Sequence, residues 1–375
     1  MSQIRVRVVG AGFSGAVAAR LLAERGAWVE LWDKRAHIGG NAFDTQDDHG
    51  VWMHPYGPHI FHTQSQKVFD WLSRFTEWRS YEHRVKASVD GKLVPMPINR
   101  TTINQLYNLD LDEAGVEAFF ASVRQPYHPP ANSEQAVWSC VGQDLCDKLY
   151  RGYTRKQWGR DLSELSASVV TRIPVRTNDD DRYFSDAYQY MPKDGYTAMF
   201  ERILDHSHIT LRLNHPFDPT DAAHKAGCDA LVYSGPVDAY FQYTYGALPY
   251  RSLRFEHTHH TNADPYQPTA VVNFPNEQAY TRVTEWKHMT GQVCSGTTLT
   301  YEYPTDVGEP FYPVPSDASQ QQFDRYKVLC EAQENVVFIG RLAEYRYYNM
   351  DQAVASALAK SSALACRLGL MAEGV

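Results

Sequence analysis

The sequence predicts an α/β fold in which a doubly wound, Rossmann-like domain is interrupted by a helical insertion and by an antiparallel β-sheet. Residues 6–41 contain, in order, a strand, a glycine-rich turn, a helix, a second strand and an acidic residue. Residues 102–149 have helical periodicity, whereas residues 271–303 contain short β-prone runs separated by turn residues. We therefore expect a parallel sheet whose first strands come from the N-terminal residues and whose last strand comes from the C-terminal residues.

The glycine-rich turn predicts a dinucleotide site. A short apolar strand ends in Gly10-Ala11-Gly12-Phe13-Ser14-Gly15, and an alanine-rich helix follows. Glycines in this pattern make a tight turn, let backbone N–H groups approach a pyrophosphate, and let helix and strand pack closely. Asp33 ends the second strand, 23 residues after Gly10, where a carboxylate accepts both hydroxyls of a ribose. The predicted dinucleotide contacts are Gly10, Gly12, Phe13, Ser14, Gly15 and Asp33.

A second glycine pair favours FAD over NAD as the cofactor. Gly39 and Gly40 closely follow Asp33, an arrangement more typical of FAD-binding domains. Near the C-terminus, a buried-type strand at 336–339 leads into a glycine, and an alanine-rich helix is predicted over 350–367. In FAD proteins the N-terminus of such a last helix lies near the flavin ring. The further predicted cofactor residues are Lys34, Gly39, Gly40, Asn41, Gly340, Arg341, Met350 and Asp351.

Composition and charge argue against several kinds of function. The formal net charge of −8 and the pI near 6.0 argue against a nucleic-acid partner. No apolar run approaches the roughly 18 residues that cross a membrane. The first strand begins too early for a secretion signal, so we expect a cytoplasmic protein without a membrane partner. The six cysteines show no CxxC pair, and the histidines at 257–260 lack zinc spacing, so no metal is expected.

The order of these patterns divides the chain into three parts. The predicted FAD domain is discontinuous and consists of residues 1–79, 191–243 and 317–375. Residues 100–150 are predicted to form the helical subdomain. The antiparallel substrate domain is predicted to comprise residues 80–99, 151–190 and 244–316, with a mobile loop near 165–178.

Several segments combine aromatic and cationic side chains. Residues 153–159 carry two aromatic rings and two cations; the alternative interpretation is an ordinary amphipathic helix surface. Arg172 lies in the predicted loop, and a guanidinium binds a diphosphate in a bidentate manner, which a lysine does not. The other polar and aromatic candidates are Tyr183, Phe184, Arg282, Glu302, Tyr312 and the run 345–349. Together these side chains are suited to holding a nucleoside diphosphate against a flavin.

At this point the motifs resemble those of a known family. The chain contains, in order, GAGFSGA, KRAHIGGNAF, PYGPHIFHT, GYTRKQWG, RIPVR, TRVTEWKH, YEYP and GRLAEYRYYNMDQ. This set, which covers nearly the whole chain, resembles bacterial flavin-dependent UDP-galactopyranose mutases. The resemblance implies an isomerase that interconverts UDP-galactopyranose and UDP-galactofuranose by ring contraction, without net redox. In that reaction N5 of reduced FAD attacks the anomeric carbon of galactose, and UDP leaves.

The resemblance also implies residue roles. It assigns Tyr153, Trp158 and Phe184 to the uridine, and Arg172 and Arg282 to the diphosphate, helped by Tyr183, Tyr312 and Tyr347. It places Glu302 and Asn349 at the sugar and His62, His59, Ile60 and Arg341 at the flavin; Arg172, Arg282 and His62 are the predicted catalytic residues. Several relatives have Asp where this chain has Asn349, which puts a role for negative charge at that position in doubt.

Two other interpretations remain open at this stage. One is an amine-oxidase-like FAD oxidoreductase that uses O₂, which would not need the arginine and tyrosine set. The other is a flavin-binding structural or sensor protein without turnover.

The resemblance further implies a homodimer, an external reductant for the flavin and a part in cell wall biogenesis.

Overall fold

The computed structural model describes residues 3–261 and 265–370. The strands are β1 Arg5–Val9, β2 Trp28–Trp32, β3 Thr45–Gln46, β4 Trp52–Met53, β5 Phe61–Thr63, β6 Trp78–Ser80, β7 Val85–Val89, β8 Lys92–Met96, β9 Tyr188–Pro192, β10 Ile209–Arg212, β11 Ala230–Tyr233, β12 Tyr250–His260, β13 Val271–Asn273, β14 Arg282–Glu285, β15 Thr297–Thr305, β16 Tyr312–Pro313 and β17 Val336–Phe338.

The helices are α1 Phe13–Glu24, α2 Gln66–Ser73, α3 Arg100–Tyr107, α4 Glu113–Val123, α5 Ser133–Leu145, α6 Gly152–Trp158, α7 Ser168–Thr171, α8 Gly195–Leu204, α9 Ala222–Lys225, α10 Val237–Tyr240, α11 Trp286–Thr290, α12 Asp317–Glu331, α13 Gly340–Ala343 and α14 Met350–Arg367. Short 3-10 turns lie at Gly40–Ala42 and Leu162–Glu164, and a π turn at Cys146–Arg151 joins α5 to α6. No helix in the described part of the chain has the length and apolar character needed to span a membrane.

The first sheet is the parallel sheet that the sequence predicted. Its five strands run in the order β10-β2-β1-β11-β17, and each neighbouring pair is parallel. Helix α1 packs between this sheet and α14, because its small buried side chains, such as Ala16 and Ala19, let the three layers approach closely. The predicted doubly wound fold is thereby confirmed, and α14 has the predicted bounds.

The second sheet differs from the prediction in one strand pair. Its seven strands run in the order β16-β12-β15-β14-β13-β7-β8, and all pairs are antiparallel except β13 with β7. The sheet is therefore mixed. Strands β7 and β13 are separated along the chain by the helical insertion and by β9–β12. A connection of this length can join parallel as well as antiparallel strands.

A third sheet, of order β5-β9-β6, was not predicted. Its strands have three to five residues, too few to show an alternating pattern. Two predicted domain boundaries, after residue 79 and after residue 190, fall inside β6 and β9. The boundary after residue 150 falls inside the π turn, since the helical run continues to Trp158. This small sheet carries His62, and the helical run carries Tyr153.

Glu285, at the end of β14, is expected to contribute to the free energy of unfolding. Burial raises the pKa of its carboxyl, but hydrogen bonds from His288 and the amides of Tyr266 and Gln267 outweigh this and lower the pKa to about 2. Because the folded-state pKa lies below the unfolded value near 4.5, the stabilisation is present above pH 4.5 and is lost as the pH falls towards 2.

We therefore expect Glu285→Gln to lower the free energy of unfolding by about 1–3 kcal/mol at pH 7, where a buried charge-assisted hydrogen-bond set is lost. Urea unfolding at pH 7 and pH 3 measures this difference in stability, which should be smaller at the lower pH. Exposed Glu256, which pairs with Arg254, offers the matched Glu→Gln control without a stability change. Equal stability of Glu285→Gln and the unchanged protein at pH 7 would contradict this role.

Candidate active site

A channel runs along the carboxyl-terminal edge of the parallel sheet, where such folds bind nucleotides. Its volume is about 340 Å³. The predicted cofactor residues that line it are Gly10, Gly12, Phe13, Ser14, Asp33, Lys34, Gly39, Gly40, Asn41, His59, Gly340, Arg341 and Met350. The structure thus brings together residues from both ends of the chain, as expected for a cofactor that crosses the whole edge.

The glycines make a cradle in which Gly10 and Gly40 leave no room for a larger residue. Gly10 has a φ of +100°, and a Cβ on Gly40 would lie 2.8 Å from the Cα of Gly12. Gly12 caps α1 without a side-chain hydrogen bond, so the first amides of this 12-residue helix are left for an anion. Gly15 does not line the channel; a Cβ there would overlap the carbonyl oxygen of Gly10, so its role is helix-to-strand packing. The cradle fits a dinucleotide such as FAD.

Asp33 directly follows β2, and its carboxylate is preorganised by two backbone amides. Oδ2 accepts a hydrogen bond from the amide of Ala11 at 2.7 Å, and Oδ1 accepts one from the amide of Arg35 at 2.8 Å. Lys34 and Arg35 form ion pairs with Glu309, at 2.7 and 2.6 Å. Sequence patterns do not point to Arg35 and Glu309, because Glu309 is 274 residues away from Arg35 along the chain.

Besides Gly15, two further predicted cofactor residues, Ile60 and Asp351, lie outside the channel. Ile60 lines the neighbouring cavity instead. Asp351 lines neither space, since its Oδ2 accepts a hydrogen bond from the hydroxyl of Thr63 at 2.9 Å. As the second residue of α14, Asp351 ties this helix to β5.

A second cavity, of about 240 Å³, adjoins the channel. The predicted substrate and catalytic residues that line it are His62, Tyr153, Trp158, Arg172, Tyr183, Phe184, Arg282, Tyr312, Tyr347 and Asn349. His59, Arg341, Asn349 and Met350 line both spaces. The two spaces therefore meet at the N-terminus of α14.

Arg282 reaches this cavity from β14 and is held from behind by Glu302. Its Nε and Nη2 lie 2.9 and 2.8 Å from Glu302 Oε2, because the two residues are directly opposite on β14 and β15. Burial lowers the pKa of the guanidinium, but the carboxylate outweighs burial and holds the pKa well above its usual value. Glu302 was predicted beside the sugar; it lies outside the cavity lining and acts as the counterion of Arg282.

Arg172 reaches the cavity from the C-terminal end of α7 and is held by neutral groups. Its Nη2 donates to Asn349 Oδ1 at 2.9 Å, and the guanidinium carbon lies 4.6 Å from the centre of the Tyr347 ring. Neither partner cancels the positive charge. Arg172 is exposed, so its charge is available to an anion that enters.

Aromatic rings close one side of the cavity. Tyr347 contacts Trp158 and Tyr312 edge-on, at centroid distances of 5.5 and 5.4 Å. Desolvation raises the pKa of the hydroxyls of Tyr153 and Tyr183 and raises that of Tyr312 to about 12. These hydroxyls are therefore neutral hydrogen-bond donors at neutral pH.

Phe184 was predicted to lie near the nucleoside, and the structure stacks it on His62. The ring centroids are 3.6 Å apart with an interplanar angle of 11°. His62 Nδ1 lies 2.8 Å from Asp186 Oδ2, a contact that the sequence analysis missed. A carboxylate only accepts, so Nδ1 carries the proton and Nε2 is the nitrogen left for the cavity. His59 lies at the junction, where desolvation lowers its pKa to about 3 and keeps it neutral.

The polar residues of the cavity that were not predicted include Gln157 and Asn273. Helical spacing predicts the first of these, because Gln157 lies one turn after Tyr153 on the same face of α6. Asn273 comes from β13, and a three-residue strand shows no face by itself.

Comparison with known proteins agrees with this geometry. The family model for UDP-galactopyranose mutase matches residues 148–347, just over half of the chain, and a model for an NAD(P)-binding Rossmann-like domain matches residues 8–75. A probable UDP-galactopyranose mutase of Klebsiella pneumoniae is 41% identical over 366 residues, covering 96% of this chain and 94% of that protein. The chain belongs to the UDP-galactopyranose mutase family.

Other similarities extend the family and confirm the fold. The dTDP-fucopyranose mutase of Escherichia coli is 36% identical over 364 residues, covering 94% of this chain and 96% of that one. The crystal structure of a reduced UDP-galactopyranose mutase superposes with a TM-score of 0.77 at 18% identity, covering 99% and 97% of the two chains. Membership of the UDP-galactopyranose mutase family identifies a sugar-nucleotide mutase, an isomerase, and implies a flavin cofactor.

Proposed function

We propose that the protein interconverts UDP-galactopyranose and UDP-galactofuranose, with reduced FAD as cofactor and no net redox. The observation that carries the proposal is the junction at His59, Arg341, Asn349 and Met350, which borders both the dinucleotide channel and the arginine-lined cavity. A cofactor ring in the channel and a nucleotide sugar in the cavity would meet there. When bound, the reduced flavin supplies a nucleophile at N5.

The chain's own residues supply charge and position. Loss of the diphosphate from the anomeric carbon increases negative charge on its oxygens, and preorganised guanidiniums at Arg172 and Arg282 stabilise that charge. The hydroxyls of Tyr312 and Tyr347 donate hydrogen bonds to the same group. Tyr153 and Trp158 offer ring faces to the base, and stacking is worth about 1–3 kcal/mol per base. Holding the sugar at the junction makes its reaction effectively unimolecular.

The segment at 165–178 carries Arg172 and is proposed to close over the substrate. Its helix α7 has only four residues, and Arg172 is exposed beside it. The hydrogen bond to Asn349 would hold the segment against α14. Closure would exclude water, which otherwise hydrolyses a reactive sugar.

The amine-oxidase alternative fits the cavity poorly. An apolar amine does not need two guanidiniums and a set of buried tyrosine hydroxyls, whereas a diphosphate does. The family match also favours a mutase. A flavin sensor without turnover has no observation in its favour.

Anaerobic turnover tests the proposed function. We expect purified, FAD-loaded protein to convert UDP-galactofuranose to UDP-galactopyranose after reduction with dithionite and to show little turnover while oxidised. UDP should perturb the flavin spectrum. dTDP-fucopyranose serves as the competing substrate, because the relative of Escherichia coli is named for it. Fully reduced protein that leaves both sugar nucleotides unchanged would refute the proposal.

The cellular setting is part of the same proposal. We place the enzyme in the cytoplasm as a homodimer, with an external reductant for the flavin and a galactofuranose product used in cell wall biogenesis. Sedimentation at micromolar concentration tests the dimer independently of activity.

Asp186→Asn is expected to lower kcat roughly tenfold or more, since it removes a charge-assisted hydrogen bond from His62. With an amide at this position, the imidazole of His62 can adopt the other tautomer or rotate out of its position in the cavity wall. UDP affinity should change less than about threefold, because Asp186 does not line the cavity. Asp179→Asn is the matched control, because Asp179 pairs with Arg100, accepts a hydrogen bond from Thr101 and does not line the cavity. Unchanged kcat in Asp186→Asn would show that His62 needs no carboxylate.

A further inference from the structure

Glu309 forms two ion pairs that connect two walls of the cofactor channel. It lies in the segment 306–311 between β15 and β16, whereas Lys34 and Arg35 follow β2 of the parallel sheet. Lys34 Nζ lies 2.7 Å from Glu309 Oε1, and Arg35 Nη2 lies 2.6 Å from Glu309 Oε2. All three residues line the channel. We call these two contacts the Glu309 bridge, and they join the second sheet to the parallel sheet.

The Glu309 bridge lies on the solvent side of the channel. The side chains of Lys34 and Glu309 are 57% and 45% exposed. Asp33, the predicted ribose ligand in the same wall, is only 9% exposed. A dinucleotide whose ribose is bound at Asp33 would therefore lie inside the channel, with the bridge between it and the solvent.

The two halves of the bridge differ in how firmly they are held. Arg35 is only 17% exposed, its Nη1 donates to Asn41 Oδ1 at 3.0 Å, and its guanidinium carbon lies 4.2 Å from the centre of the Tyr56 ring. Among the described residues, the carboxylate of Glu309 has no hydrogen-bond partner other than Lys34 and Arg35. Glu309 is therefore the half that rotates into solvent when both ion pairs break.

The bridge is charged at neutral pH. Burial raises the pKa of the Glu309 carboxyl, but hydrogen bonds from Arg35 and Lys34 outweigh burial and lower the pKa to about 2. The bridge consists of protein groups alone, so it can form in FAD-free and in FAD-loaded protein alike. Because exposed ion pairs are screened by salt, a high ionic strength should open it.

We propose that the Glu309 bridge is a latch on the cofactor channel, an inference that rests on the proposed FAD site. FAD enters or leaves only when both ion pairs are broken. The latch therefore slows release and uptake by the same factor and leaves the dissociation constant nearly unchanged. A residue that contacted the bound cofactor would instead change the dissociation constant, mainly through the release rate.

The release rate and the dissociation constant of FAD together test the latch. Release is measured by chasing holoprotein that carries isotope-labelled FAD with excess unlabelled FAD. The dissociation constant is measured from flavin fluorescence on serial dilution of the holoprotein, and the two values give the uptake rate. We expect Glu309→Gln to release FAD about five- to tenfold faster, with a dissociation constant within about twofold of that of the unchanged protein.

Salt and matched variants complete the test. Sodium chloride at about 0.5 M should speed release from the unchanged protein severalfold and have little effect on Glu309→Gln. Glu77→Gln, which removes an exposed ion pair with Lys193 outside the channel, should behave like the unchanged protein. Lys34→Gln removes one of the two ion pairs from the other wall and tests the latch if Glu309→Gln does not fold; it should speed release about threefold.

The other outcomes overturn the latch. Equal release rates in Glu309→Gln and the unchanged protein would show that the bridge does not hinder FAD. Faster release with a proportionally weaker dissociation constant would make Glu309 a contact of the bound cofactor. Equally fast release from Glu77→Gln would assign the effect to overall charge. Failure of the unchanged protein to bind FAD refutes the proposed cofactor itself, whereas tight FAD binding with release insensitive to Glu309 refutes only the latch.

Discussion

Replacing Arg282 with alanine is expected to lower kcat for the sugar-nucleotide interconversion at least about 10²-fold, the usual loss for one transition-state charge partner. The position of Arg282 in the cavity is fixed, because two of its nitrogens lie 2.9 and 2.8 Å from Glu302 Oε2. Preorganisation of this kind means that no reorganisation is needed when charge develops on the leaving diphosphate. Anaerobic turnover with dithionite measures the effect.

The same substitution leaves the Glu302 carboxylate buried without its counterion, which costs about 3–5 kcal/mol of stability. Low activity of Arg282→Ala could then reflect unfolding rather than lost charge. The control is Arg282→Met combined with Glu302→Gln, which removes both charges and fills similar volume. We expect this double variant to regain most of the stability and none of the turnover. Near-normal kcat in a folded double variant would contradict the role of Arg282 at the diphosphate.

Gly12→Ala is expected to weaken FAD binding at least about tenfold while the protein stays folded, since the second glycine of the motif admits the pyrophosphate. Gly12 has a φ of −81°, which any residue adopts, and a Cβ there would lie 3.6 Å from the Cα of Gly40, an ordinary contact. The added methyl group therefore disturbs the bound cofactor rather than the free protein. The flavin-to-protein absorbance ratio measures the loss.

Gly115→Ala is the matched control, because Gly115 lies in α4, a helix of the insertion that does not border the channel. It should retain the flavin. Activity of Gly12→Ala should return only in proportion to the FAD that is added back. A full complement of bound FAD in Gly12→Ala would show that the cofactor diphosphate does not lie against α1.

The parts of the site that the sequence predicted best are those set by neighbours along the chain. The turn from β1 to α1, the acid at the end of β2 and the bounds of α14 all follow from covalent geometry and local periodicity. For that reason the channel residues from Gly10 to Asn41 lie together almost as expected, with Gly15 as a packing residue.

Residue type alone did not predict which side chains hold the catalytic candidates in place. Arg282 and Glu302 meet because β14 and β15 pair in one register, and a slip of one residue would point them to opposite faces. His62 and Asp186 are 124 residues apart and meet through the short sheet that was not predicted. Phe184 comes shortly before β9 of the same sheet and stacks on His62, a contact that its position in the sequence does not indicate.

The sequence by itself determined that this chain has a cofactor edge, an arginine-rich set of residues and a family, because each can be identified from short motifs of neighbouring residues. Only the tertiary structure decided that the channel and the cavity share lining residues. It also decided that Glu302 forms the ion pair that positions Arg282, and that Arg172 is held by the uncharged side chain of Asn349. These relations depend on strand register and on the docking of α14, which are settled by packing over the whole molecule.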